Sequence, residues 1–338
     1  LEQINLEQVE DLDQMDVVNP EAILMGAVSD TQDKDRRDRE LVMPWLRFLW
    51  ETYRNTLDTL RNNTRLETIY QVVAIQALDF CLKFQRKNEF HRLSDRLRHH
   101  LQATIRNTNQ AHGVDLKDAD SMQRHLDLRF KQLQVATELE LWQEAFRSIE
   151  DVHTLFCQGG TPKADMLIAY YEKLTGILTI CGGDPLYLSA AWHRYYDTVR
   201  QHAKDMDTKD LERIAANVVL STLAVPIVNP NMRVTTMNVS ENKMRDNRYC
   251  TMLGLAHRPK RAILISDMIA SGVLAQVSPD MRDFFYQMEE KFHPLSICRQ
   301  VSPFLVNMQE HPEQSIYVKP LQNCMLTHLL QQLSQVYT

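Results

Sequence analysis

Apolar residues recur three and four positions apart along most of this 338-residue chain. That spacing places them on one face of an α-helix, because an α-helix completes a turn every 3.6 residues. One such stripe consists of Phe90, Leu93, Leu97, Leu101 and Ile105. Only nine glycines occur, whereas sheet proteins with many tight turns need glycine for positive φ angles. The pattern therefore predicts an all-α protein of long helices and short loops.

Short polar turns recur along the chain, and each leads into an aromatic residue and a further apolar stripe. They lie near Lys87, Leu141 and Gly183. Each is expected to begin a helix of a helical hairpin, and stacked hairpins bury their apolar faces on their neighbours. No strict period of about 34 residues is present, which argues against a regular tetratricopeptide array. We therefore predict an irregular right-handed α-solenoid of helical hairpins.

Composition and periodicity predict four segments. Residues 1–40 are interpreted as an acidic peripheral segment and linker, 41–228 as the helical-repeat solenoid, 229–248 as a polar loop, and 249–338 as further helical repeats. The loop is predicted because the helical periodicity is lost there.

Cysteine usage and hydropathy indicate the cellular compartment of the protein. The six cysteines are far apart and never form a CxxC, which indicates free thiols in a reducing environment. No apolar stretch approaches the roughly 20 residues that span a bilayer, and no signal peptide is present. These features predict a cytosolic protein without a membrane anchor.

Local motifs for catalysis, metals and cofactors are missing from the sequence. There is no HExxH, no GxxxxGK[ST], no GxGxxG and no GxSxG. The adjacent pair His99 and His100 points about 100° apart on a helix and cannot chelate one ion. We expect no cofactor, no metal, no small-molecule substrate and no enzymatic activity. A hydrolase with catalytic residues scattered along the chain is the alternative.

One helix carries a basic face. Counted at about 100° per residue, Arg92, Arg96, His99 and Arg106 lie opposite the apolar stripe that begins at Phe90. A solvated helix face has the same appearance in sequence. The functional alternative is contact with RNA or with an acidic protein. No aromatic residues are interleaved with these basic residues, which disfavours sequence-specific reading of RNA.

Large aromatic residues are predicted to form the structural core where they lie on apolar stripes. These residues are Trp45, Trp142, Phe146, Trp192 and Tyr196. Trp50 lies off the main stripe predicted for its helix. It is therefore predicted to be a possible exposed contact.

Two tryptophan-containing strings resemble a known family. Residues 44–54 read PWLRFLWETYR and are followed by LRNNTR at 60–65, and residues 140–146 read ELWQEAF. These strings and their order resemble the largest (a) subunits of eukaryotic translation initiation factor 3, which are PCI-domain proteins. The resemblance runs from about Leu12 to the end of the chain.

The resemblance implies a PCI-type module, in which TPR- or HEAT-like helical repeats precede a winged helix. We expect the winged helix to lie largely beyond Thr338. The implied function is a scaffold of the initiation factor. The implied partners are the other subunits, notably subunit c through the PCI region, the proteins and rRNA of the small ribosomal subunit, and mRNA indirectly.

Two related classes are open alternatives. A PCI scaffold subunit of the proteasome lid or the signalosome would share the fold without binding ribosomes. A stand-alone RNA-binding protein is disfavoured by the net charge of −6.

Overall fold

The computed structural model describes residues 33–61, 63–106, 113–116, 118–159, 163–202, 207–227, 239–294 and 296–337. Every regular element within these ranges is a helix, which confirms the predicted all-α class. The chain divides into two compact units, Leu1–Pro162 and Lys163–Thr338. The boundary at Pro162 therefore lies inside the segment 41–228 that the sequence interpreted as one solenoid.

The first unit contains five α-helices in its described residues. They are α1 (Asp33–Leu60), α2 (Glu67–Lys83), α3 (Lys87–Arg106), α4 (Ala119–Glu138) and α5 (Trp142–Gly159), with a 3-10 turn at Thr64–Leu66. Buried apolar side chains of all five helices form the core. The stripe predicted on α3 from Phe90 to Leu101 is part of it.

The second unit contains eight α-helices in its described residues. They are α6 (Ala164–Ile180), α7 (Pro185–His202), α8 (Thr208–Leu223), α9 (Val239–Leu253), α10 (Arg261–Ala270), α11 (Pro279–Glu289), α12 (Ile297–Glu310) and α13 (Pro312–Tyr337). A 3-10 turn at Val273–Ala275 follows α10. Its apolar core includes Tyr196 from α7, Val218 from α8 and Phe285 from α11, and half-buried Trp192 packs against it.

Three helical hairpins share one turn geometry. The first helices of the pairs α2–α3, α4–α5 and α6–α7 end with a residue in the left-handed region, namely Gln85, Glu140 and Gly182. The next amide then donates to the carbonyl five residues back, as from Arg86 N to Cys81 O at 2.8 Å. This is the Schellman motif, which satisfies carbonyls left open at a helix end. The three polar turns predicted from the sequence lie at these positions.

The structure reverses the two predictions made for the tryptophans of α1. Trp45, predicted to lie in the core, is 73% exposed, and Trp50, predicted to be an exposed contact, is 2% exposed. The buried face of α1 instead follows Met43, Leu46 and Trp50. The periodicity was ambiguous because α1 carries apolar residues on both faces, and packing against the other helices decides which face is buried.

Two predicted segment boundaries are wrong. Residues 33–40, interpreted as linker, belong to α1, and residues 239–248, interpreted as polar loop, belong to α9. Helix α9 is polar along much of its length, but its last turn is anchored by buried Met252 and Leu253. Its Tyr249 also stacks on Tyr187 of α7 with ring centroids 4.9 Å apart. Residues 1–32 and 229–238 lie outside the described residues.

Candidate functional site

Helices α1 and α3 of the first unit form a groove of about 460 Å³. One wall presents Arg54 and Asp58 of α1 and Arg61 directly after its last residue, and the three are spaced four and three residues apart. That spacing places them on one side of the helix. The α3 wall has the same spacing at Arg92, Arg96 and His99, and Trp50, Asp95 and His100 complete the lining. We call this site the α1–α3 groove.

The structure divides the basic face predicted from the sequence. Arg92, Arg96 and His99 line the α1–α3 groove, whereas Arg106 is the exposed last residue of α3 and does not line it. The sequence interpretation missed Arg54 and Arg61, which form the opposite wall. The helical spacing of Arg54 and Arg61 could be read from the sequence, but the sequence does not show that these residues face α3.

The other predicted residues of the first unit lie away from this groove. Trp142 and Phe146 of α5 are half-buried, and neither belongs to the groove lining.

Asp58 links the two walls of the groove. Its carboxylate forms an ion pair with Arg96 and accepts a hydrogen bond from Nε2 of His100 at 3.1 Å. Partial burial acts to raise the pKa of Asp58, but the hydrogen bonds and charges of Arg96 and His100 outweigh it, so that its pKa is lowered. Asp58 is therefore ionised at neutral pH and holds Arg96 of the opposite wall by an ion pair.

A buried tyrosine contacts the imidazole nitrogen of His100 that does not face Asp58. The Nδ1 atom of His100 lies 3.1 Å from the hydroxyl of Tyr70. Burial lowers the pKa of His100, with Asp58 opposing that effect, so the imidazole is neutral at pH 7. Because ionised Asp58 can only accept, Nε2 carries the proton and Nδ1 accepts from the Tyr70 hydroxyl. Burial also raises the pKa of Tyr70 to about 12, which keeps that hydroxyl protonated.

A buried arginine fixes α3 on α4. Arg129 donates from Nη2 to the carbonyl oxygen of Leu97 at 2.6 Å and from Nη1 to Gln132 at 2.7 Å. Because Leu97 lies in the middle of α3, this contact holds the helix that carries one wall of the groove. Arg129 is 2% exposed, so removing these acceptors would leave a buried charge with fewer partners, which is costly.

The α1–α3 groove has a positive balance of charge. Four arginines and two aspartates line it. Asp58 is engaged by Arg96 and His100, and Asp95 forms an ion pair with Arg98 at 3.0 Å. The arrangement can attract an anionic group by charge and by guanidinium hydrogen bonds.

Metal-binding clusters and membrane-spanning helices do not occur in the part of the chain that the structure describes. In those ranges, no group of three or more His, Cys, Asp or Glu residues could hold a metal ion. No helix in the same ranges is long and apolar enough to cross a bilayer.

Comparison with known proteins identifies the family. The family model described as "eIF3a, PCI domain, TPR-like region" matches residues 2–296. The proteins named as the A subunit of eukaryotic translation initiation factor 3 in Emericella nidulans and in Chaetomium globosum are each 46% identical over 97% of this chain. The protein of that name in Neurospora crassa is 46% identical over 94% of it.

The match covers only part of the relatives. The chain spans 33% of the Emericella nidulans protein, 32% of the Chaetomium globosum protein and 31% of the Neurospora crassa protein. The family match favours the initiation-factor interpretation over a subunit of the proteasome lid or the signalosome. The chain belongs to the family of the A subunit of eukaryotic translation initiation factor 3 and contains its TPR-like PCI region.

Proposed function

We propose that this chain is part of a non-catalytic scaffold subunit of eukaryotic translation initiation factor 3, acting in the cytoplasm. The observation that carries the proposal is the match to proteins of the eIF3a family over 97% of the chain. The scaffold assembles the factor and docks it on the small ribosomal subunit, where initiator tRNA and mRNA are recruited. Its partners are other subunits, notably subunit c through the PCI region, together with ribosomal proteins and rRNA.

The mechanism is the presentation of shaped and charged surfaces. Helices packed through buried apolar stripes hold their outward side chains in fixed positions, so a partner meets a preorganised surface and less ordering entropy is lost on binding. The α1–α3 groove is the basic surface of the first unit that best suits docking on an anionic partner.

Co-sedimentation with purified small ribosomal subunits tests the docking surface. The assembled factor would carry Arg92→Glu together with Arg96→Glu in its full-length scaffold protein, and a separate variant would carry Arg106→Glu. We expect the groove variant to bind more weakly, with the largest loss at low salt and a shallower salt dependence, because salt screens the charge attraction that the unaltered groove supplies. Unchanged binding of the groove variant would show that the groove is only a solvated surface.

The scaffold role has a separate test. The purified full-length protein should capture purified subunit c, and the groove variant should capture it equally well, because the PCI region rather than the groove is proposed to pair with subunit c. Failure of the unaltered protein to capture subunit c would contradict this part of the proposal.

A further inference from the structure

We propose that a pocket in the second unit binds an extended peptide that presents one large apolar side chain beside a basic one. The pocket has a volume of about 280 Å³ and lies among α6, α7, α8 and α13. We call it the α6–α13 pocket, and its lining includes Glu172, Gly176, Trp192, Arg213, Asn217 and Tyr317. This surface belongs to other helices than the α1–α3 groove and suits a partner of the opposite charge.

Gly176 leaves one side of the pocket open. It lies in the interior of α6, where glycine is a less favourable residue than alanine. A Cβ atom added there would meet no heavy atom of the described residues within 4 Å. Packing within this part of the chain therefore does not require a glycine. The missing side chain instead opens the backbone of α6 to close approach by another chain.

Asn217 of α8 places an unpaired amide in the pocket. The residue is only 7% exposed, and its side chain forms no hydrogen bond with the residues that the structure describes. Buried polar groups are rarely left in this state, because a hydrogen bond lost to water and not replaced costs free energy. A ligand that pairs with this amide would recover that cost.

Two further polar groups of the lining lack partners within the described ranges. They are the hydroxyl of Tyr317 and the Nε1–H group of Trp192, both buried. Trp192 and Thr179 lie close to the Tyr317 hydroxyl and oppose the rise in its pKa that burial causes, but neither meets the geometry of a hydrogen bond with it. The lining is therefore not satisfied by these residues alone, as expected of a surface that a partner completes.

An extended peptide fits this pocket better than a helix does. The main-chain N–H and C=O groups of a helix are used within the helix, whereas an extended segment has both free. An asparagine amide donates and accepts at once, so Asn217 can pair with both groups of one peptide residue. The exposed apolar side chains of the lining are Ile180 of α6 and Ile316 of α13. They offer room for one apolar anchor, whereas a docked helix presents a series of them.

The charge of the pocket selects a basic neighbour for that anchor. Arg213 and Glu313 form an ion pair at 3.3 Å, so their charges compensate each other. Glu172 is exposed and forms no ion pair with the residues that the structure describes. The charge that is left over is negative and attracts a lysine or arginine of the partner.

The test selects peptides from a random heptapeptide library displayed on phage against the full-length protein. The recovered peptides are then synthesised with fluorescein, and their affinities are measured by fluorescence anisotropy. We expect them to contain one large apolar residue beside a lysine or arginine. Recovery of peptides without this pattern, or of none that binds, would overturn the proposal.

Gly176→Leu separates loss of the pocket from loss of folding. The leucine side chain would fill the open space and should abolish binding of the selected peptides. The same change should raise the midpoint of urea unfolding, because leucine favours a helix more than glycine does. A misfolded protein would not gain stability. Undiminished binding to this variant would overturn the proposal.

Two substitutions test the contacts assigned to the peptide. Asn217→Ala should weaken binding by about two- to tenfold through the lost hydrogen bonds, and its unfolding should change little because the amide has no partner in the free protein. Glu172→Gln should weaken binding by up to about fivefold at low salt and less at high salt. The matched control is Glu212→Gln, which removes an exposed carboxylate of α8 that does not line the pocket. Unchanged affinity in both the Asn217 and the Glu172 variants, or an equal loss in the Glu212 control, would overturn the assignment of these contacts.

Discussion

Asp58 of α1 accepts a hydrogen bond from Nε2 of His100 of α3 at 3.1 Å, although the two residues are 42 positions apart in the chain. This contact and the ion pair between Asp58 and Arg96 join the two walls of the α1–α3 groove. Loss of Asp58 would leave the Nε2–H group of His100, a residue only 5% exposed, without its acceptor.

Asp58→Ala is therefore expected to destabilise the first unit by about 1–3 kcal/mol, the usual cost of a buried donor left unpaired. Asp58→Asn should lose less, because its amide oxygen still accepts from His100. Urea denaturation measures both changes. Asp95→Ala is the control, since it removes an exposed carboxylate whose ion pair contributes at most about 1 kcal/mol. Equal losses for Asp58→Ala and Asp95→Ala would contradict the role assigned to Asp58.

Acid should destabilise the first unit through His125. Burial lowers the pKa of His125 to about 4, and the positive charges of Arg129 and Arg124 act in the same direction. The unfolded chain takes up this proton near its ordinary pKa of 6.5, before the folded protein does. Stability is therefore lost as the pH falls from about 6.5 towards 4, by up to about 3 kcal/mol from this group.

The measurement is the free energy of unfolding of His125→Gln and of the unaltered protein at a series of pH values. The difference between the two should change across this pH window and stay constant above it. A difference that does not vary with pH would show that His125 is not buried in the neutral form.

The same reasoning applies independently to the second unit. Burial lowers the pKa of His193 to about 4, with Asp267 opposing that effect. Its Nε2 lies 3.1 Å from the hydroxyl oxygen of Thr222. The second unit should therefore lose stability as the pH falls, by an amount similar to that expected for His125, and His193→Gln should remove this loss. The fluorescence of Trp192 follows the unfolding of this unit. An unaltered acid response would count against the burial of His193.

Glycine at the hairpin turns should stabilise the protein. Glu140 is exposed and has a φ angle of 60°, a conformation that costs a side-chain-bearing residue energy but is free to glycine. Glu140→Gly is expected to raise the free energy of unfolding by about 0.5–1 kcal/mol, measured by urea denaturation. Glu138→Gly, at the last residue of α4, should instead lower it, by up to about 1 kcal/mol. A loss of stability in Glu140→Gly would show that the left-handed conformation of Glu140 does not destabilise the protein.

The two tryptophans of α1 should respond oppositely to truncation. Trp50→Ala removes a fully buried ring and is expected to cost about 3–5 kcal/mol. Trp45→Ala removes a ring that is 73% exposed and should change stability by at most about 0.5 kcal/mol. Thermal or urea unfolding compares them directly. A larger loss of stability for Trp45→Ala than for Trp50→Ala would show that the face of α1 carrying Trp45 is the buried one.

The contrast between α3 and α1 shows what periodicity predicts. On α3 the apolar residues occupy a single face, so the buried stripe from Phe90 to Leu101 could be read from the sequence. On α1 the exposed face carries Trp45 and Phe48, which are 73% and 64% exposed, and the buried face carries Trp50. Local pattern offers two solutions for such a helix, and only the packing of neighbouring helices selects one.

The groove was only half predictable for a related reason. Each wall follows a local helical spacing, so Arg92, Arg96 and His99 could be grouped from the sequence of α3 alone. The pairing of α3 with α1 depends on contacts such as Arg96 with Asp58, which are 38 positions apart. Contacts between residues so far apart in the chain depend on tertiary packing and leave no local pattern in the sequence.

The shared hairpin turn explains why helical repeats can be present without a fixed period. The turn closes through main-chain hydrogen bonds, so it does not depend on the length of either helix. The joined helices contain 17 and 20 residues in α2–α3, 20 and 18 in α4–α5, and 17 and 18 in α6–α7. A helix can therefore gain or lose residues at the end away from the turn while its junction is preserved. Insertions and deletions in this family should accordingly collect at the ends of the hairpins opposite these turns.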